Sequence, residues 1–331
     1  MTSAGHRDLS PDERALLVAA TQSRDAARAA WEEWRGSSRL ETAGPRSQAL
    51  FGQLYANVVG DLEGPETSLL RGVYKRTWYA NQVLLGRMQA LASCLRREGV
   101  SPLVLNDAAL ALGYYADLGH RPIDCLDLLV PAAAWDRSLA AAAGDGWRLD
   151  DDASFGSPTA LSIATFTSRR EGSLRIWSNL FAAQPRHDTE ARLWREARSL
   201  ELNGHTFHVL GAGEQLLCTS AEAFRHHEVP LARYADAWLV ARTITSEHDW
   251  ARVVWKAQRY EHVLPLRNML RFLERNVSLA LPAWLLPELR RLAISHGELL
   301  QYRPACDTVG LKAKAAILRV LRARPAGSLR A

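Results

Sequence analysis

The run Asp-Cys-Leu-Asp-Leu-Leu-Val at residues 124–130 is the most informative stretch of this chain for its fold. Its continuous apolar residues are typical of a short strand buried inside a sheet. The run Leu-Val-Leu at residues 103–105 predicts a second buried strand just before it. Because side chains alternate along a strand, Asp124 and Asp127 are predicted to face opposite sides of the sheet unless a bulge intervenes.

Further short elements extend this centre in both directions. A short helix is predicted over residues 108–115, another over 131–143, and strands over 160–167 and 174–177. Residues 200–209 predict a hairpin that turns at Asn203-Gly204, a dipeptide that suits a tight two-residue turn. Together these elements predict a small mixed sheet flanked by helices.

The segments on either side of the sheet are helical by their apolar periodicity. Ser10 and Glu13 form a capping-box pattern, and the helix they begin is predicted to run to about Arg35. Another helix is predicted after Pro45, and a long one over residues 66–97. The C-terminal helices are predicted near residues 213–226, 229–243, 247–262, 264–275 and 283–296.

The predicted fold class is therefore α+β, with a central sheet and additional helical parts at both ends. We expect three parts along the chain. They are an N-terminal helical region over residues 1–98, an α/β core over residues 99–212 and a C-terminal helical region over residues 213–331.

Composition narrows the class of protein. Of the 331 residues, 47% are hydrophobic and 23% are charged, which is typical of a globular protein. No apolar run is long enough to span a membrane, and the N-terminus lacks a signal-peptide core. We therefore expect a cytoplasmic protein with no membrane partner. The net charge of +5 is arginine-dominated and favours no nucleic-acid partner. The basic segment 311–331 is predicted to be a solvated helix end.

Motifs of several common site classes are missing. The four cysteines are far apart in sequence, which argues against a zinc ribbon or a disulfide scaffold and predicts buried or partly buried thiols. No serine lies in a Gly-x-Ser-x-Gly setting, and no P-loop or Gly-x-Gly-x-x-Gly run occurs.

Four ordered fragments carry a resemblance to a known family. They are Leu-Arg-Gly-Val-Tyr-Lys-Arg-Thr-Trp-Tyr-Ala-Asn-Gln at residues 70–82, Leu-Asn-Asp-Ala-Ala-Leu at 105–110, Tyr-Tyr-Ala-Asp-Leu-Gly-His-Arg-Pro at 114–122, and the run at 124–130. In this order and spacing the chain resembles the bacterial "uncharacterised nucleotidyltransferase" family over roughly residues 66–280. Members of that family often sit in natural-product gene clusters, so the resemblance implies a setting in secondary metabolism.

The resemblance implies a nucleotidyltransferase-like core and the chemistry of nucleotidyl transfer. That reaction uses magnesium ions to hold the attacking and leaving oxygens of a nucleoside triphosphate. Carboxylates must hold the magnesium, and an Asp-x-Asp pair on one strand places two of them on the same face. A glycine before a short helix lets the backbone approach the phosphates.

The chain departs from the family pattern at the positions that would bind metal and phosphate. The family's Leu-Lys-Gly is here Leu-Asn-Asp, so Asn106 replaces the lysine and Asp107 the glycine. Cys125 stands at the first acid of the Asp-x-Asp pair, which leaves only Asp127. In the later strand, Arg175 replaces the acid and Trp177 the histidine. These departures predict a degenerate, metal-independent site.

Three hypotheses for the function follow. In the first, a repurposed enzyme acts on a natural-product intermediate by cyclase- or transferase-like chemistry, with a small-molecule or peptide substrate, no cofactor and no metal. Arg175 would replace the positive charge of a metal. In the second, the protein is a magnesium-dependent nucleotidyltransferase that uses a nucleoside triphosphate. In the third, it is a non-catalytic binding partner of a biosynthetic enzyme.

Under the first hypothesis the expected site residues fall into two groups, and a purely structural ion pair between Asp127 and Arg175 is the alternative. The candidate catalytic residues are Asp127, Arg175, Asp107 and Asp124. The candidate substrate-binding residues are Asn106, Tyr114, Tyr115, His120, Arg121 and Trp177.

Overall fold

The computed structural model describes residues 9–58, 65–150, 163–168, 172–181, 187–225 and 229–302. The helices, in chain order, are α1 (Pro11–Thr21), α2 (Arg24–Ser37), α3 (Pro45–Gln48), α4 (Phe51–Val58), α5 (Pro65–Arg97), α6 (Asn106–Gly113), α7 (Trp135–Gly144), α8 (His187–Arg195), α9 (Ala212–Arg225), α10 (Leu231–Arg242), α11 (Glu247–Arg259), α12 (Val263–Val277), α13 (Leu285–Arg291) and α14 (His296–Gln301). The strands are β1 (Leu103–Leu105), β2 (Cys125–Leu129), β3 (Arg148–Leu149), β4 (Ile163–Thr167), β5 (Ser173–Trp177), β6 (Arg198–Leu202) and β7 (His205–Val209).

All seven strands lie in one mixed sheet with the order β3-β4-β5-β2-β1-β7-β6. The β2–β5 and β1–β7 pairs are parallel, and the remaining neighbours are antiparallel. The two strands predicted first, β1 and β2, lie side by side near the middle. The α+β class expected from the sequence is confirmed, with a sheet between N-terminal and C-terminal helices.

Each face of the sheet is covered by a separate apolar core. Leu103, Leu129 and Trp177 belong to the larger core, which includes residues of α1, α2 and α4 and of α9 to α13. The alternate residues, such as Val104 and Leu128, pack into the second core with residues of α5 and α7. Strands buried on both faces explain why the runs at 103–105 and 124–130 are nearly continuous in apolar residues.

The first N-terminal helix begins where the sequence predicts, but it does not continue as far as predicted. The Ser10 side chain accepts from the Glu13 N–H and the Glu13 carboxylate accepts from the Ser10 N–H, so the capping box is confirmed. The single helix predicted to run to about Arg35 is wrong, because α1 ends at Thr21 and α2 begins at Arg24. Gln22 and Ser23 adopt extended backbone angles there, and the bend lets α2 fold back against α1.

The N-terminal and C-terminal helices are not separate layers in space. Helix α1 packs against α10 and α12, and all three contribute to the larger core. The division of the chain at residues 98/99 and 212/213 stays a prediction about organisation along the sequence.

Most of the other predicted elements are present with small shifts of their ends. The helix predicted after Pro45 is two short helices, α3 and α4, and the helix predicted near 283–296 ends at Arg291. The hairpin at Asn203-Gly204 is confirmed as the β6–β7 pair, with positive φ at both turn residues. The sequence missed the two-residue strand β3 and the helices α8 and α14. Residues 160–162 of the predicted strand, Cys306 and the segment 311–331 lie outside the described residues. Among the described cysteines, Cys125 and Cys218 are buried and Cys94 is partly exposed. No helix in the described ranges is long and apolar enough to cross a membrane.

Candidate functional site

The register of the central strands places Asp127 between two neighbours on the same face. In the antiparallel β1–β2 pair Leu105 lies opposite Asp127, and in the parallel β2–β5 pair Arg175 does. The pairing of β2 with β5 is continuous from Cys125 to Leu129, with no residue skipped. Asp124 precedes the strand and is exposed, whereas Asp127 is 0% exposed.

Both oxygens of the buried Asp127 carboxylate are held by side chains of β5. Arg175 donates from Nε to Oδ1 at 2.6 Å and from Nη2 to Oδ2 at 2.8 Å, which is the bidentate geometry that a guanidinium favours. Trp177, two residues further along β5, donates from Nε1 to Oδ1 at 2.8 Å. The side chain of Asn106 also hydrogen-bonds Asp127.

Asn106 reaches this carboxylate from a left-handed backbone position. Its φ is 49°, where asparagine is tolerated better than most residues other than glycine. It is the first residue of α6, directly after β1. The left-handed turn that leads from β1 into α6 is therefore made by Asn106, and the next residue, Asp107, has its side chain in a different polar cluster.

Electrostatics at the pair keep the guanidinium charged. Burial raises the pKa of Asp127, and the hydrogen bonds from Arg175, Trp177 and Asn106 offset this only in part. Burial lowers the pKa of Arg175, but its bonds to Asp127 and the negative charge of Asp127 together hold that pKa above its usual value. Asp127 is fully enclosed, while the Arg175 side chain is 31% exposed. The pair thus presents one edge of a fixed cation to solvent.

A second polar cluster surrounds Asp107 and Arg121. The Arg121 guanidinium donates from Nη2 to Asp107 Oδ1 at 2.8 Å. It also donates from Nε and Nη2 to the two oxygens of Asp236 on α10, at 2.9 and 3.0 Å. Asp107, Arg121 and Asp236 are all buried. One arginine in the segment before β2 therefore joins α6 of the core to α10 of the C-terminal helices.

Two further side chains complete this cluster. Arg233 on α10 donates to Asp107 Oδ1 at 2.7 Å, and the Tyr115 hydroxyl donates to Asp236 Oδ1 at 2.7 Å. With two arginines and two aspartates the cluster is electrically balanced. Burial acts to raise the pKa of Asp107, but Arg121 and Arg233 outweigh it and hold that pKa below its usual range.

The structure brings together seven of the ten predicted site residues in these two adjoining clusters, which meet at the consecutive residues Asn106 and Asp107. The seven are Asp127, Arg175, Trp177, Asn106, Asp107, Arg121 and Tyr115.

The other three have different surroundings. The hydroxyl of Tyr114 accepts from Arg198 on β6 at 3.2 Å, and the ring of His120 lies 5.9 Å from that of Tyr74 on α5. Burial lowers the pKa of His120. Asp124 reaches the second cluster only through its backbone N–H, which donates to Asp107.

Arg233 and Asp236 are the members of the site that the sequence did not single out for a role. Both lie on α10, whose other residues are mostly apolar and buried. A signal was present, since charged residues three apart in a strongly apolar helix need partners when buried. Their partners could not be identified, because Arg121 lies 115 residues before Asp236.

The donor set does not fit a two-magnesium centre. Both Asp127 oxygens are engaged by cationic or N–H donors, and the residue two before it on the same strand face is Cys125. Burial and the charge of Asp127 raise the pKa of the Cys125 thiol to about 11, which favours the neutral form. The side chain beside Asp127 on β5 is an arginine. Within the described parts of the chain, no group of three His, Cys, Asp or Glu side chains could hold a metal ion.

A family model described as "Uncharacterised nucleotidyltransferase" matches residues 46–277. The chain belongs to this family. The match covers β1, α6, β2 and β5, which carry the first polar cluster, and α10, which completes the second. The resemblance inferred from the four fragments is thereby confirmed. No curated protein matches the chain.

Solved structures with similarity to this nucleotidyltransferase-family chain include two of ANT(2'')-Ia. One is a solution structure of the "antibiotic-resistance factor", with 11% identity, a TM-score of 0.40 and coverage of 54% of this chain and 94% of that one. The other is a crystal structure in complex with adenylyl-2''-tobramycin, with 11% identity, a TM-score of 0.39 and coverage of 52% and 96%. An "antigenic nucleotidyltransferase-like protein" from Paracoccidioides brasiliensis has 12% identity, a TM-score of 0.36 and coverage of 62% and 94%.

Proposed function

We propose that this member of the nucleotidyltransferase family acts on a small-molecule or peptide natural-product intermediate without two-metal nucleotidyl transfer. The observation that carries the proposal is the bidentate Arg175–Asp127 pair at 2.6 and 2.8 Å. In this pair Arg175 binds the Asp127 carboxylate, which would be a magnesium ligand in a nucleotidyltransferase of this family. The natural-product setting follows from the family resemblance, and the reaction would be cyclase- or transferase-like.

In this proposal Arg175 contacts the substrate and Asp127 is a positioning residue. The Arg175 bonds to Asp127 use Nε and one Nη2 hydrogen, and the side chain is 31% exposed, so the guanidinium has donors left for a ligand. A guanidinium held in one orientation binds a carboxylate, a phosphate or a developing oxyanion with little loss of conformational entropy. Asp127, with its oxygens already occupied, fixes that orientation, and Trp177 supports it.

The second cluster would hold the walls of the site in place. Its charged side chains form ion pairs with one another, namely Asp107, Arg121, Arg233 and Asp236. Groups paired in this way suit a structural role better than proton transfer. They join the α/β core over residues 99–212 to the C-terminal helical region over residues 213–331, which we retain as proposed parts. For a substrate bound between these two parts, the cluster would set how far apart the two parts lie.

The experiment compares purified wild-type protein with Arg175→Gln and Arg175→Lys on carboxylate- and phosphate-bearing intermediates made by enzymes encoded beside its gene. Mass spectrometry follows substrate loss and calorimetry follows binding. We expect Arg175→Gln to weaken binding or turnover by about tenfold or more, the scale for losing a hydrogen bond to a charged group, and Arg175→Lys to recover only part of it. Arg148→Gln, at an exposed arginine on the edge strand β3, is the matched control and should behave as wild type. Full activity in Arg175→Gln would refute the proposal.

Magnesium-dependent nucleotidyl transfer is the second candidate, and the family match favours it. Calorimetry with ATP, GTP and CTP, each with and without magnesium, separates the two. The proposal predicts no tightening by magnesium, whereas a magnesium-dependent gain in triphosphate affinity would support nucleotidyl transfer.

A non-catalytic binding role is the third candidate, favoured by the absence of a free carboxylate at the Asp127 position. If the wild-type protein alone binds an intermediate but does not convert it, the binding role is supported over the enzymatic role.

A further inference from the structure

A surface distinct from the polar clusters is formed by α8 and α11. On α11 the residues His248, Arg252, Trp255 and Arg259 recur every three to four positions, so they share one face of the helix. His248, Arg252 and Trp255 border a cavity of about 360 Å³ that is also lined by Arg192 of α8, and Arg259 lies beside the Trp255 ring. We call this set, His248, Arg252, Trp255, Arg259 and Arg192, the α8–α11 surface.

Trp255 is the central apolar feature of this surface. Its side chain is 43% exposed, although a tryptophan is ordinarily mostly buried. The guanidinium of Arg192 lies 4.8 Å from its ring and that of Arg259 lies 5.8 Å away. Two cations at the ring orient it and make the surroundings positive. An exposed tryptophan beside arginines has the composition of a protein-interaction hot spot.

Positive side chains outnumber negative ones around Trp255. The cavity is lined by three cationic side chains, Arg192, Arg252 and Lys256, and by one carboxylate, Glu196. Glu196 lies 2.6 Å from the ammonium of the buried Lys256 and 3.2 Å from Arg252. Lys256 is also paired with Glu214 behind the surface, at 2.5 Å. The charge of Arg192 also acts on Glu196, but the four cations Arg192, Arg252, Lys256 and Arg259 outnumber the two carboxylates Glu196 and Glu214. A net positive charge therefore remains beside the ring.

We propose that the α8–α11 surface binds an acidic peptide segment of a partner protein, with an aromatic or large aliphatic residue of that segment against Trp255. Charge complementarity supports an anionic occupant, and the single exposed ring supports one apolar anchor. Separate carboxylates on a peptide can avoid Glu196, which lines the cavity. A nucleic-acid strand would bring a continuous line of phosphates past that carboxylate and would favour several stacking rings.

The test measures fluorescence anisotropy with the full chain and three labelled probes. They are an acidic peptide of Asp and Glu with one central Phe, the same peptide with that Phe changed to Ala, and a single-stranded oligo-dT of equal length. We expect the Phe peptide to bind more tightly than the Ala peptide and the oligonucleotide, and to weaken as salt increases. Trp255→Ala and Arg192→Gln should each reduce its affinity by about fivefold to tenfold, the range for interface residues of moderate weight.

Trp78→Ala is the matched control. Trp78 is 41% exposed on α5, which is not part of the α8–α11 surface, and its removal should leave the peptide affinity unchanged. Because Trp255 is exposed, Trp255→Ala should fold, and circular dichroism confirms this before titration. No binding of the Phe peptide, equal affinity in Trp255→Ala, or tighter binding of oligo-dT would each overturn the proposal.

Discussion

Replacing Asp236 by asparagine should destabilise the protein more than almost any other isosteric change. Asp236 is 0% exposed and accepts from Arg121 at 2.9 and 3.0 Å and from Tyr115 at 2.7 Å. Arg233 also lies 3.6 Å from it. Asparagine keeps the shape but removes one negative charge, so the balanced cluster of two arginines and two aspartates acquires a net positive charge away from water.

The magnitude follows from two losses. The amide of asparagine offers one acceptor oxygen, so one of the two Arg121 bonds is lost, and a hydrogen bond to a charged group contributes about 1.5–3 kcal/mol. The uncompensated buried charge adds to this, and breaking one side of a buried ion pair costs about 3–5 kcal/mol in total. We expect a loss of about 3–5 kcal/mol in the free energy of unfolding, measured by urea denaturation followed by circular dichroism.

The control is Asp136→Asn, at an exposed aspartate in the first turn of α7, which should change stability by less than about 0.5 kcal/mol. A double-mutant cycle with Arg121→Gln should give a coupling energy above about 1 kcal/mol, because the two side chains share hydrogen bonds. If Asp236→Asn lowered the free energy of unfolding by less than about 1 kcal/mol, the described cluster would not be the link between α6 and α10.

Two other predictions test the packing and titration of buried groups. Burial and the charge of Glu261 raise the pKa of Glu298 to about 7, against the N–H donors of Leu264 and Val263. Its folded pKa exceeds its unfolded value of 4.5, so its contribution to stability is full below about pH 4.5 and is lost as pH rises through about 7. Wild type should lose up to about 3 kcal/mol relative to Glu298→Gln between those limits, and parallel pH-dependent urea melts that superimpose would contradict this. In α4, a Cβ on Gly52 would lie 2.1 Å from the carbonyl oxygen of Gly119, whereas Gly72 in α5 has nothing within 4 Å. Thermal melts should show Gly52→Ala destabilised by about 1–3 kcal/mol and Gly72→Ala unchanged or stabilised by up to about 1 kcal/mol, and equal effects would refute the close approach.

Much of the secondary structure could be read from local patterns. The capping box at Ser10 and Glu13, the hairpin at Asn203-Gly204 and the buried strands at 103–105 and 125–129 are set by backbone sterics and neighbouring side chains. The break between α1 and α2 could not be read in this way, because the helical spacing of apolar residues continues through it. The bend is stabilised by packing of α2 on α1 and α4, which are contacts between elements.

The candidate site could be predicted in its residue types but not in its pairings. The substitution of acids by Cys125 and Arg175 is visible in the sequence and indicates a changed site. That Asp127 is bound by Arg175 depends on β5 lying parallel beside β2 in register, although the two residues are 48 positions apart. Tyr114 and His120 belong to a fragment that carries the family resemblance and were predicted to line the site, yet their described contacts are with Arg198 and Tyr74.

The α+β class, the family and the chemical character of the central strand follow from residue type and short-range spacing. Which charges meet depends on the three-dimensional arrangement of the elements. This arrangement joins Arg121 to Asp236 on α10 and Arg175 to Asp127 on β2. The physical reason is that a buried charge must find an opposite charge and hydrogen-bond donors or acceptors, and the fold supplies them from elements far apart in the chain.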